Sequence, residues 1–212
     1  MMSRLHIVPF VLLLTVVAGC AGQATTPLSP TSTSVSSSAS SSPSSPAPAV
    51  DPGTSQPTAN SGPCVVGFSE LQVNGAAFTT QTACGLTIAA AGASWQASTT
   101  YGYPAPFVQF VSPAGTTTTG EVNVTAASGT FAFASVDIYS STTKIPYEIT
   151  GLAKGAVVFT LASTQNNTFG NFATISSPNA AVPIDTLRIR LTNPSAPCCA
   201  NPVGLDNIRI VR

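Results

Sequence analysis

The chain is poor in charge. Of its 212 residues, seven are Lys or Arg and seven are Asp or Glu, 7% charged in all with a formal net charge of zero. A typical soluble domain carries about 25%. So sparse a set of cations excludes a nucleic-acid binder that works by neutralising phosphates, and equally a polyanionic or polycationic tail protein. Histidine is nearly absent: His6 is the only one, and Met1 and Met2 are the only methionines. If the N-terminus is removed, no histidine remains. Ser-His-Asp, Cys-His, zinc–histidine and haem–histidine chemistry is then excluded together. There is no CxxC pair, no G-x-S-x-G and no glycine-rich phosphate loop.

The N-terminus reads as an address. Arg4 supplies a positive charge, and Ile7 to Ala18 is an apolar stretch of 12 residues, a signal-peptide length too short for a helix to cross about 30 Å of hydrocarbon. Val17-Ala18-Gly19-Cys20 follows and resembles a bacterial lipobox. That resemblance implies a diacylglyceryl group on the Cys20 thiol, cleavage before it, and a lipid-anchored protein in the bacterial cell envelope, at the outer membrane in a Gram-negative host. Residues 1–19 are thus expected to be a lipoprotein signal peptide. Residues 20–62 carry the lipidated cysteine and a linker: 26 of the 40 residues from 23 to 62 are Ser, Thr or Pro, with one charge, Asp51. Such a segment buries too little apolar area to offset its ordering entropy, and its expected work is to hold a domain clear of the lipid.

Residues 63–212 form a 150-residue segment holding nine of the ten Phe, all four Tyr and the only Trp. Short runs rich in Val, Ile, Thr, Phe and Tyr, punctuated by Gly, Pro, Asn and Ser, predict strands near 65–73, 84–90, 93–98, 106–111, 119–125, 130–139, 145–150, 156–162, 171–176, 184–192 and 205–211. Leu187-Arg188-Ile189-Arg190-Leu191 alternates apolar inward and arginine outward. The run 131–139 is apolar on both parities and predicts a central strand covered on both sides. The expected fold is all-β, a two-sheet β-sandwich of jelly-roll type, with a closed barrel as the alternative. Export to an oxidising compartment predicts two disulfides among Cys64, Cys84, Cys198 and Cys199. A vicinal bridge is strained, so Cys64 and Cys84 are each expected to pair with one of the other two.

The stretches SVDIYSSTTKIPYEITG (135–151), NNTFGNFATI (166–175), IDTLRIRLTNP (184–194) and NPVGLDNIRIVR (201–212) resemble a group of uncharacterised bacterial secreted proteins and lipoproteins. The closing Gly-Leu-Asp-Asn-Ile is similar to the last strand of galactose-binding-like jelly rolls, carbohydrate-binding modules among them. The resemblance implies a carbohydrate-binding-module-like fold. It also implies a structural Ca²⁺ bridging an acid early in the domain and the last-strand Asp, here Glu70 and Asp206. No cofactor is otherwise required.

Strict alternation places Asp206 with Ile208 and Ile210, and Asp185 with Leu187, Ile189 and Leu191. An inward carboxylate needs hydrogen bonds, as from capped backbone N–H groups, or a cation. Trp95, Tyr101 and Tyr103 lie among polar residues and prolines, where rings stack on sugars, with Asn166 and Asn167 as hydroxyl-binding partners. Core packing is the competing use for Trp95. Lys144, Arg188, Arg190 and Arg209 read as solvated sheet faces. The expected function is a non-catalytic binding module for extracellular carbohydrate, with no nucleic-acid partner. The rivals are an adhesive lipoprotein that binds another envelope protein, and a hydrolase, which would need two acids close together in a cleft.

Overall fold

The computed structural model describes residues 62–100, 102, 105–194 and 199–212; the expected signal peptide, Cys20 and the linker up to residue 61 lie outside them. Twelve strands are described and no helix. They are β1 (Pro63–Val66), β2 (Thr80–Ala83), β3 (Leu86–Ala91), β4 (Gln96–Ser98), β5 (Phe107–Ser112), β6 (Thr118–Ala126), β7 (Ala132–Ser140), β8 (Ile145–Ala153), β9 (Ala156–Gln165), β10 (Phe172–Ser176), β11 (Thr186–Asn193) and β12 (Asn201–Val211). Sheet one runs β10-β7-β12-β5-β4, with β1 also paired to β12; sheet two runs β2-β3-β6-β11-β8-β9. All pairings are antiparallel. From β5 to β12 the chain passes from one sheet to the other at every connection except the β8–β9 hairpin. That gives a two-sheet sandwich with jelly-roll connections.

The alternation read from the sequence is what the sheets use. Leu187, Ile189 and Leu191 of β11 are buried while Arg188 and Arg190 face out. β7 lies between β10 and β12, and both of its faces are covered: Val136 and Ile138 enter the core while Asp137 and Tyr139 are buried on the other side. Trp95 is a core residue, only 3% exposed, and so is not on a binding surface. Its ring packs edge-on against Phe110 at 4.8 Å, and its Nε1 donates to the Ala91 carbonyl at 3.1 Å. The close approach of sheet two requires a glycine: a Cβ on Gly120 would lie 2.7 Å from Phe110 and 2.8 Å from Trp95.

β12 departs from strict alternation. Val203 and Leu205 enter the core, and so do Ile208 and Ile210, which requires one extra residue between the two pairs. The register against β7 shifts between Asp206 and Arg209, and Asn207 takes φ 48°, a β-bulge. Asp206 therefore shares a face with Gly204 and points away from Ile208 and Ile210, contrary to the alternation.

The disulfide pairing also differs from expectation. Cys64 is bonded to Cys84, with Cα atoms 6.5 Å apart, joining β1 of sheet one to the end of β2 in sheet two. The length of β12 explains why. Cys64 lies opposite Ile210, near the end of that strand, whereas Cys199 precedes its start at Asn201. Nine residues at about 3.4 Å each separate the two ends by roughly 30 Å, far beyond disulfide reach. Cys199 is exposed; Cys198 lies outside the described residues. The other end of the sandwich is pinned by polar contacts. Buried Asn201 donates to Asn193 Oδ1 at 2.8 Å and to Thr143 Oγ1 at 2.6 Å, and Asn193 Nδ2 donates to the Asn201 carbonyl at 2.6 Å.

Closing a loop of this size restricts the unfolded chain by about 3 kcal/mol in the entropy model. The Cys64→Ser/Cys84→Ser double variant is expected to lose about that much unfolding free energy in urea titrations. An unchanged midpoint would mean the bridge does not constrain the unfolded chain.

Candidate functional site

Antiparallel register brings residues from five strands onto the outward face of sheet one. Gln96, Gln109, Gly204, Tyr139 and Phe172 form one row across β4, β5, β12, β7 and β10. Asp206, Asp137 and Thr174 stand side by side in the next row, followed by Val65, Arg209, Ser135 and Ser176. Directly paired residues share a face, so aromatic and polar side chains meet here. The rings of Phe107, Tyr139 and Phe172 form a cluster with centroids 4.8, 5.2 and 5.5 Å apart. Phe107 and Tyr139 are fully buried and Phe172 is partly open. Gly102 seats against them: at φ +84°, a Cβ there would be 2.8 Å from Phe107 and 3.1 Å from Tyr139. Its neighbours Tyr101 and Tyr103, both sequence candidates, lie outside the described residues.

The polar half centres on Asp137. Arg209 grips it with both guanidinium nitrogens, at 3.0 and 3.1 Å, while Thr174 Oγ1 donates at 2.6 Å and Asn207 Nδ2 at 3.0 Å. Burial alone would raise its pKa. The hydrogen bonds from Arg209, Thr174 and Asn207 outweigh burial and hold the carboxyl below its usual value. Its cross-strand partner Asp206 is in the opposite position. It is 4% exposed, and its Oδ1 has no hydrogen-bond partner. Burial first, and the Asp137 charge after it, push its pKa up to about 6 against the backbone N–H of Asn207 and the Arg209 charge.

Asp206 is in the wall of an open pocket of about 320 Å³, bounded by Gly67, Phe68, Ser69, Ala105 and Pro106. The unpartnered buried oxygen fits a cation. Calcium needs six to eight oxygens, and among the described residues Asp206 is the only carboxylate lining the pocket. The Gly67 carbonyl already accepts from Gln81 Nε2 at 3.0 Å and the Ser69 carbonyl from Gln72 Nε2. Glu70 is exposed and does not line the pocket. Among the described residues no three His, Cys, Asp or Glu side chains gather as a metal cluster. A cation held here would rest on Asp206, with carbonyls and water supplying the rest. Asp185 caps backbone instead, accepting from Lys154 N–H at 2.6 Å and from Thr186 at 3.1 Å.

Asn166 and Asn167 lie on the β9–β10 connection. Asn166 is exposed, and Asn167 Nδ2 donates to the Thr142 carbonyl at 3.2 Å. The same connection carries Phe169, 79% exposed and at φ 51°, a left-handed conformation that is costly for a bulky residue. Its flanks are pinned to β7. Thr168 Oγ1 accepts from Ser140 N–H and donates to the Ser140 carbonyl, both at 2.8 Å, and Gly170 N–H reaches that carbonyl at 3.2 Å. Sequence reasoning missed Asp137, Arg209, Phe169 and Phe172 as a group, because they meet through strand register and a bulge.

On sheet two, Glu121 and Glu148 face Arg188 and Arg190 at 3.2 to 3.6 Å. The arginine side chains are 40% and 43% exposed, so these pairs contribute little and are the solvated face that was expected. Among the described residues, Asp137 and Asp206 are the acids at directly paired positions, and they do not share a cleft. Asp137 is engaged by Arg209, Asn207 and Thr174 and does not line the Asp206 pocket.

No protein-family profile matches the chain, and no curated protein does. Solved structures similar to it include a mutant of a family 29 carbohydrate-binding module complexed with mannohexaose. That match has 16% identity and a TM-score of 0.41, and covers 70% of this chain and 89% of that one. Another is TmCBM61 in complex with β-1,4-galactotriose, at 11% identity and a TM-score of 0.41, covering 59% of this chain and 88% of that one. A third is the enzymatically active domain of tailspike protein 4 from bacteriophage CBA120, at 13% identity and a TM-score of 0.38, covering 59% of this chain and 19% of that one. At identities this low the likeness carries no side chain across.

The two carboxyls link stability to pH in opposite senses. Asp206, raised above the unfolded value of about 3.9, favours the fold while protonated. That contribution is whole below about pH 4 and is lost as pH rises through about 6. Asp137, lowered, contributes above the unfolded value and loses that contribution as pH falls. A rise of about two units corresponds to about 3 kcal/mol. With chelator present, Asp206→Asn should therefore raise unfolding free energy at neutral pH by up to about 3 kcal/mol and flatten the profile between pH 4 and neutrality. A variant less stable than wild type under these conditions would mean that the Asp206 carboxylate gains more from its surroundings than burial costs it.

Proposed function

We propose that the chain is a lipid-anchored, extracytoplasmic and non-catalytic carbohydrate-binding module of the bacterial cell envelope. It takes its ligand on the outward face of sheet one, at the β10 side. The observation that carries this reading is the adjacency there of aromatic and polar groups. Phe172 is partly open and Phe169 is 79% exposed on a pinned turn, while Thr174, Asp137 and Arg209 lie in the neighbouring rows. A ring covers the apolar face of a pyranose, and the half-exposed Arg209 guanidinium, held in place by Asp137, suits sugar hydroxyls. Asn166 and Asn167 share the Phe169 connection and serve the same ligand, as do Tyr101 and Tyr103 beside Gly102. A structural Ca²⁺ on Asp206 would tie the Gly67–Ser69 segment to β12 at the edge of this face. The Cys20 lipid and the Ser/Thr/Pro-rich linker present the domain to extracellular glycan.

Screening the full-length chain on a glycan array, with calcium and with chelator, tests the reading. Wild type should bind, and Phe169→Ala and Phe172→Ala should each weaken binding about tenfold, the equivalent of about 1.4 kcal/mol of lost stacking. Calcium should raise the melting temperature of wild type and leave that of Asp206→Asn unchanged. A blank array would overturn the carbohydrate reading in favour of an envelope-protein ligand. Release of reducing sugar from bound glycans would overturn the non-catalytic one.

A further inference from the structure

Two side-chain oxygens converge on the pocket beside Asp206. A Cβ on Gly67 would lie 3.8 Å from Asp206 Oδ1 and 3.9 Å from Asn207 Oδ1, so the bare side of that glycine is a cradle open to both. Asp206 Oδ1 is buried and has no hydrogen-bond partner. Asn207 donates its Nδ2 to Asp137 at 3.0 Å, which leaves its amide oxygen toward Gly67. Charge is out of balance around them. Arg209 is paired with Asp137, and among the described residues Asp206 makes no ion pair. Two carboxyls and one guanidinium leave one negative charge unmet. A buried, unpaired carboxylate is costly, and a cation brought in by a ligand relieves that cost.

Donor chemistry narrows the cation. A guanidinium engages both oxygens of a carboxylate side by side, whereas one oxygen of Asp206 is unmet. A calcium ion would draw most of its six to eight oxygens from water and backbone. A primary ammonium is a compact charge with three donors, which Asp206 Oδ1, Asn207 Oδ1 and one water match. The walls beside the cradle include Val65, Phe68, Ala105 and Pro106, apolar groups that suit the C–H groups around an amine. At about 320 Å³ the pocket falls within the range of small-ligand sites, about 300 to 1,000 Å³. We infer that it receives the protonated amine of an amino-sugar unit, so that the glycan taken by this domain carries free amino groups. This rests on the carbohydrate reading and names the class of sugar. Asp206, Asp137 and Thr174 stand side by side on β12, β7 and β10, two strand spacings or about 10 Å from first to last, so one short oligosaccharide reaches both the pocket and the Phe172 side. Calcium is the alternative occupant of the same oxygen, and the two exclude each other.

Calorimetric titration of the full-length chain, with chelator present, tests this. Glucosamine and galactosamine oligomers are compared with glucose and galactose oligomers of the same length and linkage, which carry hydroxyl in place of ammonium. The amino oligomers should bind at least tenfold tighter, and in NMR they alone should shift the Asn207 side-chain amide. Asp206→Asn should erase the tenfold difference. Glu70→Gln, which removes an exposed carboxyl outside the pocket, should keep it. Neutral oligomers bound as tightly as amino ones would overturn the amino-sugar assignment and leave the carbohydrate reading standing. A preference that survives Asp206→Asn, or an Asn207 amide that does not move, would overturn the assignment to this pocket. No binding of any of the oligomers would overturn it as well, and the glycan array then decides the broader reading separately.

Discussion

One extra residue in the last strand organises this domain. β12 pairs with β1, β5 and β7, so its side chains set both the core and the outward face of sheet one. Val203 and Leu205 fill the first half of the core and Ile208 and Ile210 the second. The bulge at Asn207 keeps both pairs inward. The same bulge leaves Asp206 and Arg209 on one outward face and aims Asn207 Nδ2 at Asp137. Were the same sequence to alternate strictly with no bulge, either Ile208 and Ile210 would turn outward or Asp206 would enter the apolar core, where an unpartnered carboxylate is costly.

That constraint divides the two carboxyls on adjacent strands into different roles. Asp137 is saturated with donors and holds Arg209 in a fixed, half-exposed pose. Asp206 keeps an unpartnered oxygen at a pocket wall. One carboxyl is a fixed anchor for the Arg209 guanidinium, and the other is buried with one oxygen unmet. The aromatic rows beside them give the face an apolar end and a polar end.

Much of the fold was legible because it rests on local pattern. Alternation in 187–191, the double-sided burial of β7 and the all-β sandwich follow from residue period and composition. β2 was not expected: Thr80-Gln81-Thr82-Ala83 has no apolar alternation, and it is held by pairing with β3. The disulfide was misread because connectivity depends on which end of β12 each cysteine approaches, a distance absent from spacing alone. The site was half legible. Asp206 stood out as a misplaced carboxylate. Its bulge, the Asp137–Arg209 clasp and the Phe169–Phe172 side depend on register between strands far apart in sequence. Trp95 had two readings in the sequence, a sugar-stacking ring and a core residue; the second holds, and its ring fills the gap that Gly120 leaves open.

Amide and guanidinium NMR of the chain titrated with oligosaccharides tests most directly the proposal that the outward face of sheet one takes carbohydrate. Shifts concentrated at Phe169, Phe172, Thr174 and the Arg209 side chain, with Arg188 and Arg190 on sheet two silent, are the predicted result. Shifts confined to the sheet-two arginines, or no shifts at saturating glycan, would contradict it.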